Sequence, residues 1–181
     1  MIIEFDFTKD DYREYSLYHQ FHSPANLRAY QKARFYPAFA WIIICFCLWY
    51  LIPREQCQSL NANITLMILF SAAPLRIIIF PWLYRRRFRK SIDRMLSEGQ
   101  NRGLFTRRQT SLSNEGIKVT TEFNQTMIAW RGVERIVHND DYAFIYISSM
   151  SAIVVPRRAF SSSSEFDQFI KTAIDYRNSA V

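Results

Sequence analysis

Two apolar runs, Phe35 to Ile52 and Ile64 to Leu83, constrain this chain more than any other feature, and Arg85-Arg86-Arg87-Phe88-Arg89-Lys90 closes the second. The runs are 18 and 20 residues long, and a bilayer core of about 30 Å needs roughly 20 residues of helix. The first carries no charge; the second carries one, Arg76. A helix of a soluble protein usually keeps a polar stripe. The stretch Trp41-Ile42-Ile43-Ile44-Cys45-Phe46-Cys47-Leu48-Trp49-Tyr50 keeps none. The runs therefore read as a two-helix transmembrane hairpin, with spans at 35–52 and 64–83. A cleavable signal peptide fits poorly, because an acidic and aromatic segment of 34 residues precedes the first run and no small-residue cleavage site follows it.

Charge orients the hairpin. Residues 1–34 hold five basic and five acidic groups, and residues 109–181 hold seven basic against eight acidic. Residues 85–108 hold nine basic groups against Asp93 and Glu98, so the net charge of +7 is juxtamembrane. Lys32 and Arg34 precede the first run, whereas the connection Pro53 to Asn63 has only Arg54 and Glu55. By the positive-inside rule both termini are cytosolic and the connection lies outside. Arg85, Arg86, Arg87, Arg89 and Lys90 become candidate contacts to an anionic lipid leaflet. Nucleic acid is not the expected partner, since the rest of the chain is nearly neutral.

Arg76 is expected near mid-depth, where a charge faces a bundle interior, water or a partner. Neither run contains an acid. Its counter-group is then a carboxylate on an integral membrane partner, carbonyls loosened near Pro74, a lipid phosphate or a wet cavity.

The flanks read as soluble structure. Residues 1–34 hold a short strand at 2–7 and a helix opened by Thr8-Lys9-Asp10-Asp11, a capping box with Asp in place of Glu. Residues 85–105 form a basic juxtamembrane helix that extends the second span. Residues 106–181 hold six short strands, punctuated by turns at Ser113–Gly116, Asn124-Gln125, Asn139–Asp141 and Ser148–Ser151. A helix closes them, opened in the run Ser161–Ser164, with Phe166, Phe169, Ile170, Ala173 and Ile174 on one face. The strand at 2–7 can add a seventh. The fold class is an α+β membrane protein.

Candidate chemistry reduces to structure. His19 and His22 lack further metal ligands in sequence, and a solvated or membrane-surface pair is the simpler reading. His138, Asp140 and Asp141 read as a turn, the serine run as a helix cap, and Arg157-Arg158 as a solvated connection more readily than a head-group contact. Trp130, with Val133 and Ile136, reads as core. Cys45 and Cys47 lie in the first span; Cys57 stands alone outside, with a dimer bridge the minor alternative. No catalytic, cofactor or metal set emerges, so the protein is not expected to be an enzyme and needs no cofactor.

The order of elements, together with Ser113-Asn114-Glu115-Gly116-Ile117, Trp130 with Val133 and Ile136, Asp141 to Tyr146, and Ala152 to Phe160, resembles the YcxB-like family of small bacterial membrane proteins. The resemblance implies an inner (cytoplasmic) membrane location and a pleckstrin-homology-like (PH-like) cytosolic β-domain at 106–181. It brings no catalytic residues. The expected function is a non-enzymatic inner-membrane protein whose module binds a protein partner or an anionic lipid surface. The alternative is an accessory or regulatory subunit, including an immunity-type one, that contacts a membrane enzyme or transporter through the hairpin. Homo-oligomers stay open.

Overall fold

The first strand finds its partner on the far side of both apolar runs. The computed structural model describes residues 1–51 and 60–180, so Arg54, Glu55 and Cys57 lie outside the described residues. In chain order the elements are β1 (Ile2–Asp6), α1 (Lys9–His22), α2 (Pro24–Leu51), α3 (Leu60–Ser97), β2 (Arg107–Leu112), β3 (Gly116–Thr121), β4 (Gln125–Ala129), β5 (Arg135–His138), β6 (Tyr142–Tyr146), β7 (Ala152–Pro156) and α4 (Ser163–Ala180). The chain divides into two units. One joins Met1–His19 to the residues from Arg94 onward, and the other is Gln20–Asp93.

In the first unit β1 to β4 form one antiparallel sheet in sequence order, and β5 to β7 form a second. Alternation turns Ile3 and Phe5 inward and leaves Ile2, Glu4 and Asp6 outward, the period of two that a half-buried strand imposes. The register sets Ile3 against Thr110 and Phe5 against Arg108. Glu4 accepts from Arg107 at 2.8 Å and from Gln109 at 2.7 Å on the outer face. Thus the first 19 residues, set apart by sequence in a 1–34 segment, complete the β module.

Turn chemistry fixes the strand ends. The Oγ1 of Thr121 accepts the N–H of Asn124 at 2.9 Å, and β3 ends at Thr121. Asn139 Oδ1 accepts the N–H groups of Asp141 and Tyr142 at 3.1 and 2.7 Å, an Asx turn between β5 and β6. A 3-10 turn at Trp130–Gly132 delays β5 to Arg135. At the head of α4 the Ser162 hydroxyl accepts the Glu165 N–H at 3.2 Å, while the Glu165 carboxylate accepts the Ser161 N–H at 3.0 Å.

The core gathers Ile117, Trp130, Phe144, Ile145, Tyr146 and Val155 from the sheets with Phe166, Phe169 and Ala173 from α4. A buried large apolar side chain contributes about 1.5–3 kcal/mol. Trp130 is buried and donates its indole N–H to the Ser113 carbonyl at 2.8 Å.

The second unit is an antiparallel helical pair. Pro24 opens α2, where its missing N–H costs nothing, and α3 continues through Pro74 and Pro81. Tyr30, Ala38, Trp41 and Cys45 lie on one side of α2, and Leu69, Ala73, Ile77 and Phe80 on one side of α3. Ala38, Cys45 and Ala73 are buried; small residues let two helices approach. Trp41 donates to the Leu69 carbonyl at 2.9 Å, and the Tyr30 ring lies 5.6 Å from that of Phe80. Outward, Ile43, Phe46, Met67, Ile68 and Ile78 are exposed.

Gly116 is required by close approach. A Cβ there would stand 2.2 Å from the Ile128 carbonyl oxygen. Gly116→Ala is expected to push β4 off β3 and cost about 1–3 kcal/mol, as overpacking does, seen as a lowered Tm of the purified full chain.

Candidate functional site

The most concentrated polar chemistry of the β module is at Asp11. Thr8 caps α1, accepting the Asp11 N–H at 3.3 Å, and the Asp11 carboxylate returns to the Thr8 N–H at 2.7 Å. The capping box read from sequence is thus formed, and it turns Asp11 inward, where it is fully buried. Two partners from the other end of the chain meet it there. Arg158, just after β7, donates through both terminal nitrogens at 2.5 Å, and the Tyr142 hydroxyl donates at 3.1 Å.

Burial alone would raise the Asp11 pKa, but hydrogen bonds from Arg158 and Thr8 outweigh it and hold the carboxyl below its ordinary value. Burial, with the Asp11 carboxylate beside it, pushes the Tyr142 phenol up to about 12, so it remains a donor. Arg108 lies on the Phe7 ring, 3.6 Å from its centroid, and donates to the Leu104 carbonyl at 3.0 Å. Beside the cluster is a cleft of about 490 Å³, lined by Glu14, Asn139, Asp141, Tyr142, Arg157 and Arg158. Its mixed charges suit binding; no nucleophile with an adjacent base faces it.

Arg158 is therefore not the solvated connection expected from sequence. A carboxylate 147 positions away captures it, which no local pattern could announce. Arg157 is tied as well, to the Asp140 carbonyl at 2.9 Å and to the Ser163 hydroxyl. Arg107 and Arg108 belong to the juxtamembrane charge excess by sequence, yet the fold spends them on Glu4 and Phe7.

His19 also departs from the solvated reading. It shares the sheet-facing side of α1 with Tyr15, and its ring lies 6.1 Å from those of Tyr15 and Tyr146. Its Nδ1 is enclosed without a hydrogen-bond partner. Burial, then the charge of Arg135, lowers its pKa. Among the described residues, no three His, Cys, Asp or Glu side chains converge as a metal site.

In the helical unit, Arg85, Arg86, Arg87, Arg89 and Lys90 are all exposed on α3. Arg85 stacks over Phe21 at 4.9 Å and Arg86 over Trp82 at 5.3 Å. At 100° per residue the five spread over more than half the helix circumference. Arg76 donates to the Ala33 carbonyl at 3.2 Å, and Arg34 donates to the Ile77 carbonyl at 3.2 Å. The two arginines thus clasp the helices crosswise. Arg76 stands level with the charged end of α2, not halfway along its uncharged run.

These features define an α+β protein in which two long apolar helices interrupt a small antiparallel β module closed by a helix. Residues 112–173 match the family model described as YcxB-like protein, and so identify that stretch, from the end of β2 into α4, as YcxB-like. No curated protein and no solved structure matches the chain.

Two predictions follow from the buried groups. Asp11→Ala is expected to destabilise the module by about 2 kcal/mol, below the usual loss from breaking a fully buried pair, because Arg158 is half-exposed. Adding Arg158→Met should cost less than the sum of the singles in denaturant unfolding. Acidification should act in two stages. His19 has a depressed folded pKa, so its contribution is present above the ordinary histidine value of 6.5 and falls away below it. Asp11 holds until pH drops below the ordinary 3.8. Tm measured from pH 8 to 5 should decline in the wild type and less steeply in His19→Gln.

Proposed function

We propose that this is a non-enzymatic protein of the inner membrane whose α2–α3 hairpin spans the bilayer and holds a PH-like β module in the cytosol, at the anionic surface of the leaflet. One observation carries the reading: β1, before the hairpin, pairs along its length with β2, after it. A chain that leaves and rejoins one sheet must cross a bilayer an even number of times, so the two ends share a compartment. The charge asymmetry then selects the cytosol.

Other features support each part. Only 11% and 6% of the most apolar windows of the two helices are buried, whereas core helices of a soluble protein would be mostly covered. So much contiguous apolar surface does not persist in water. A four-stranded sheet, a three-stranded sheet and a closing helix are what a PH-like module requires. The exposed basic residues of α3 supply roughly 1 kcal/mol each at an anionic surface, screened by salt. Arg76 bonds to the Ala33 carbonyl near the charged start of the uncharged run of α2, so its level does not by itself call for a carboxylate at mid-depth from an accessory partner.

Fusions at both termini test the topology. A fluorescent protein that folds only in the cytosol should light at either end, and alkaline phosphatase, active only outside, should stay silent at both. Phosphatase activity at either terminus would overturn the reading. Changing Arg85, Arg86, Arg87, Arg89 and Lys90 together to Gln should invert a measurable fraction of chains, because the orienting charge is then gone.

A further inference from the structure

Arg34 and Arg76 present a pair of like charges for which the described residues of the helical unit provide no carboxylate at their level. From Gln20 to Asp93, the acid among the described residues is Asp93, well beyond Arg76 on α3. Each guanidinium gives one N–H to a carbonyl of the opposite helix, Ile77 for Arg34 and Ala33 for Arg76. Each also lies against an aromatic ring, Phe35 at 5.2 Å and Phe80 at 5.5 Å. A guanidinium has five N–H donors, so most remain unused. Arg76 is exposed and Arg34 half-exposed.

Their level along the hairpin says where those donors point chemically. Nineteen uncharged residues separate Arg34 from Arg54, and twenty separate Glu55 from Arg76. The described helices alone supply 17 uncharged residues after Arg34 and 16 before Arg76, close to the length that crosses the hydrocarbon core, so Arg34 and Arg76 stand together at one end of the uncharged stretch. Beyond that end, an aromatic cluster of Phe21, Tyr30, Phe80 and Tyr84 packs with centroid distances of 5.0 to 6.0 Å. Gln20 donates to the Tyr84 hydroxyl at 2.8 Å within it. Aromatic groups with polar tips settle at head-group depth, and arginine forks match phosphate oxygens.

We propose that Arg34 and Arg76 form a binding site for the phosphate of an anionic lipid head group, seated at the cytosolic end of the hairpin. The lipid supplies the missing negative charge and bridges α2 to α3 across the crossed hydrogen bonds. This rests on the membrane-spanning reading above, and adds to it a site distinct from the basic cluster at 85–90.

The test uses the full chain in nanodiscs of equal phosphatidylglycerol and phosphatidylcholine, with retained lipid counted by native mass spectrometry. Wild type should retain phosphatidylglycerol in preference. Arg34→Gln and Arg76→Gln should each reduce that preference roughly fivefold, the effect of one basic group at an anionic surface. The paired Lys variants should keep a reduced preference, because lysine retains charge without the fork. Unchanged preference in the double Gln variant overturns the site, as does absence of preference in wild type. Equal occupancy by inorganic phosphate in phosphatidylcholine discs would overturn the lipid as source, and recovery of an acidic membrane protein in place of lipid would assign the charges to that protein. Alkaline carbonate extraction separates the two readings. Release of the chain from native membranes defeats the membrane-spanning reading and the site with it, whereas retention without lipid preference defeats the site alone.

Discussion

A carboxylate removed from water is tolerated only where donors replace the solvent it lost, and Asp11 is surrounded by five such donors. Two belong to Thr8, beside it in sequence; the other three come from Tyr142 and Arg158. Without these distant partners Asp11 would be a buried charge with most of its hydrogen bonds missing, at a cost of several kcal/mol. Without Asp11, Arg158 would keep only its bond to the Asp6 carbonyl among these contacts. The N-terminal helix and the end of β7 thus depend on each other. The pairing of β1 with β2 and the packing of Tyr18 on Phe144, with ring centroids 4.5 Å apart, extend that dependence along the whole face.

Such a long-range closure would ordinarily be slow, since each doubling of a loop adds about 0.6 kcal/mol of entropy cost. An antiparallel helical pair shortens the effective loop, because it returns the chain to the side it left. Arg34 and Arg76, donating to each other's neighbouring carbonyls, hold the two helices in that register. The helical pair and the β module are therefore coupled by connectivity.

The apolar runs, the turns at Asn139 and Ser148 and the amphipathic face of α4 were legible in sequence, because each depends on local period or turn chemistry. The T-x-x-D box at Thr8 was legible too, but only as a cap. That its carboxylate would also bind Arg158 depended on tertiary closure. His19 looked solvated because Tyr146, the sheet residue beside it, lies far away in sequence. Arg76 looked stranded at mid-depth because the apolar run was measured by hydropathy, which passes through Ile77 to Leu83 without pause. The neighbouring helix adds what hydropathy lacks, setting Arg76 level with Ala33.

The interruption of the β module by two long apolar helices has a consequence for synthesis. Ile3, Phe5 and Phe7 leave the ribosome long before β2, so until β2 is made the first strand has a bare edge and an uncovered apolar face. Pairing with β2 closes that edge, and the apolar face is covered once the rest of the module, α4 included, has packed on it. The first residues of the module to be made are therefore among the last to be buried.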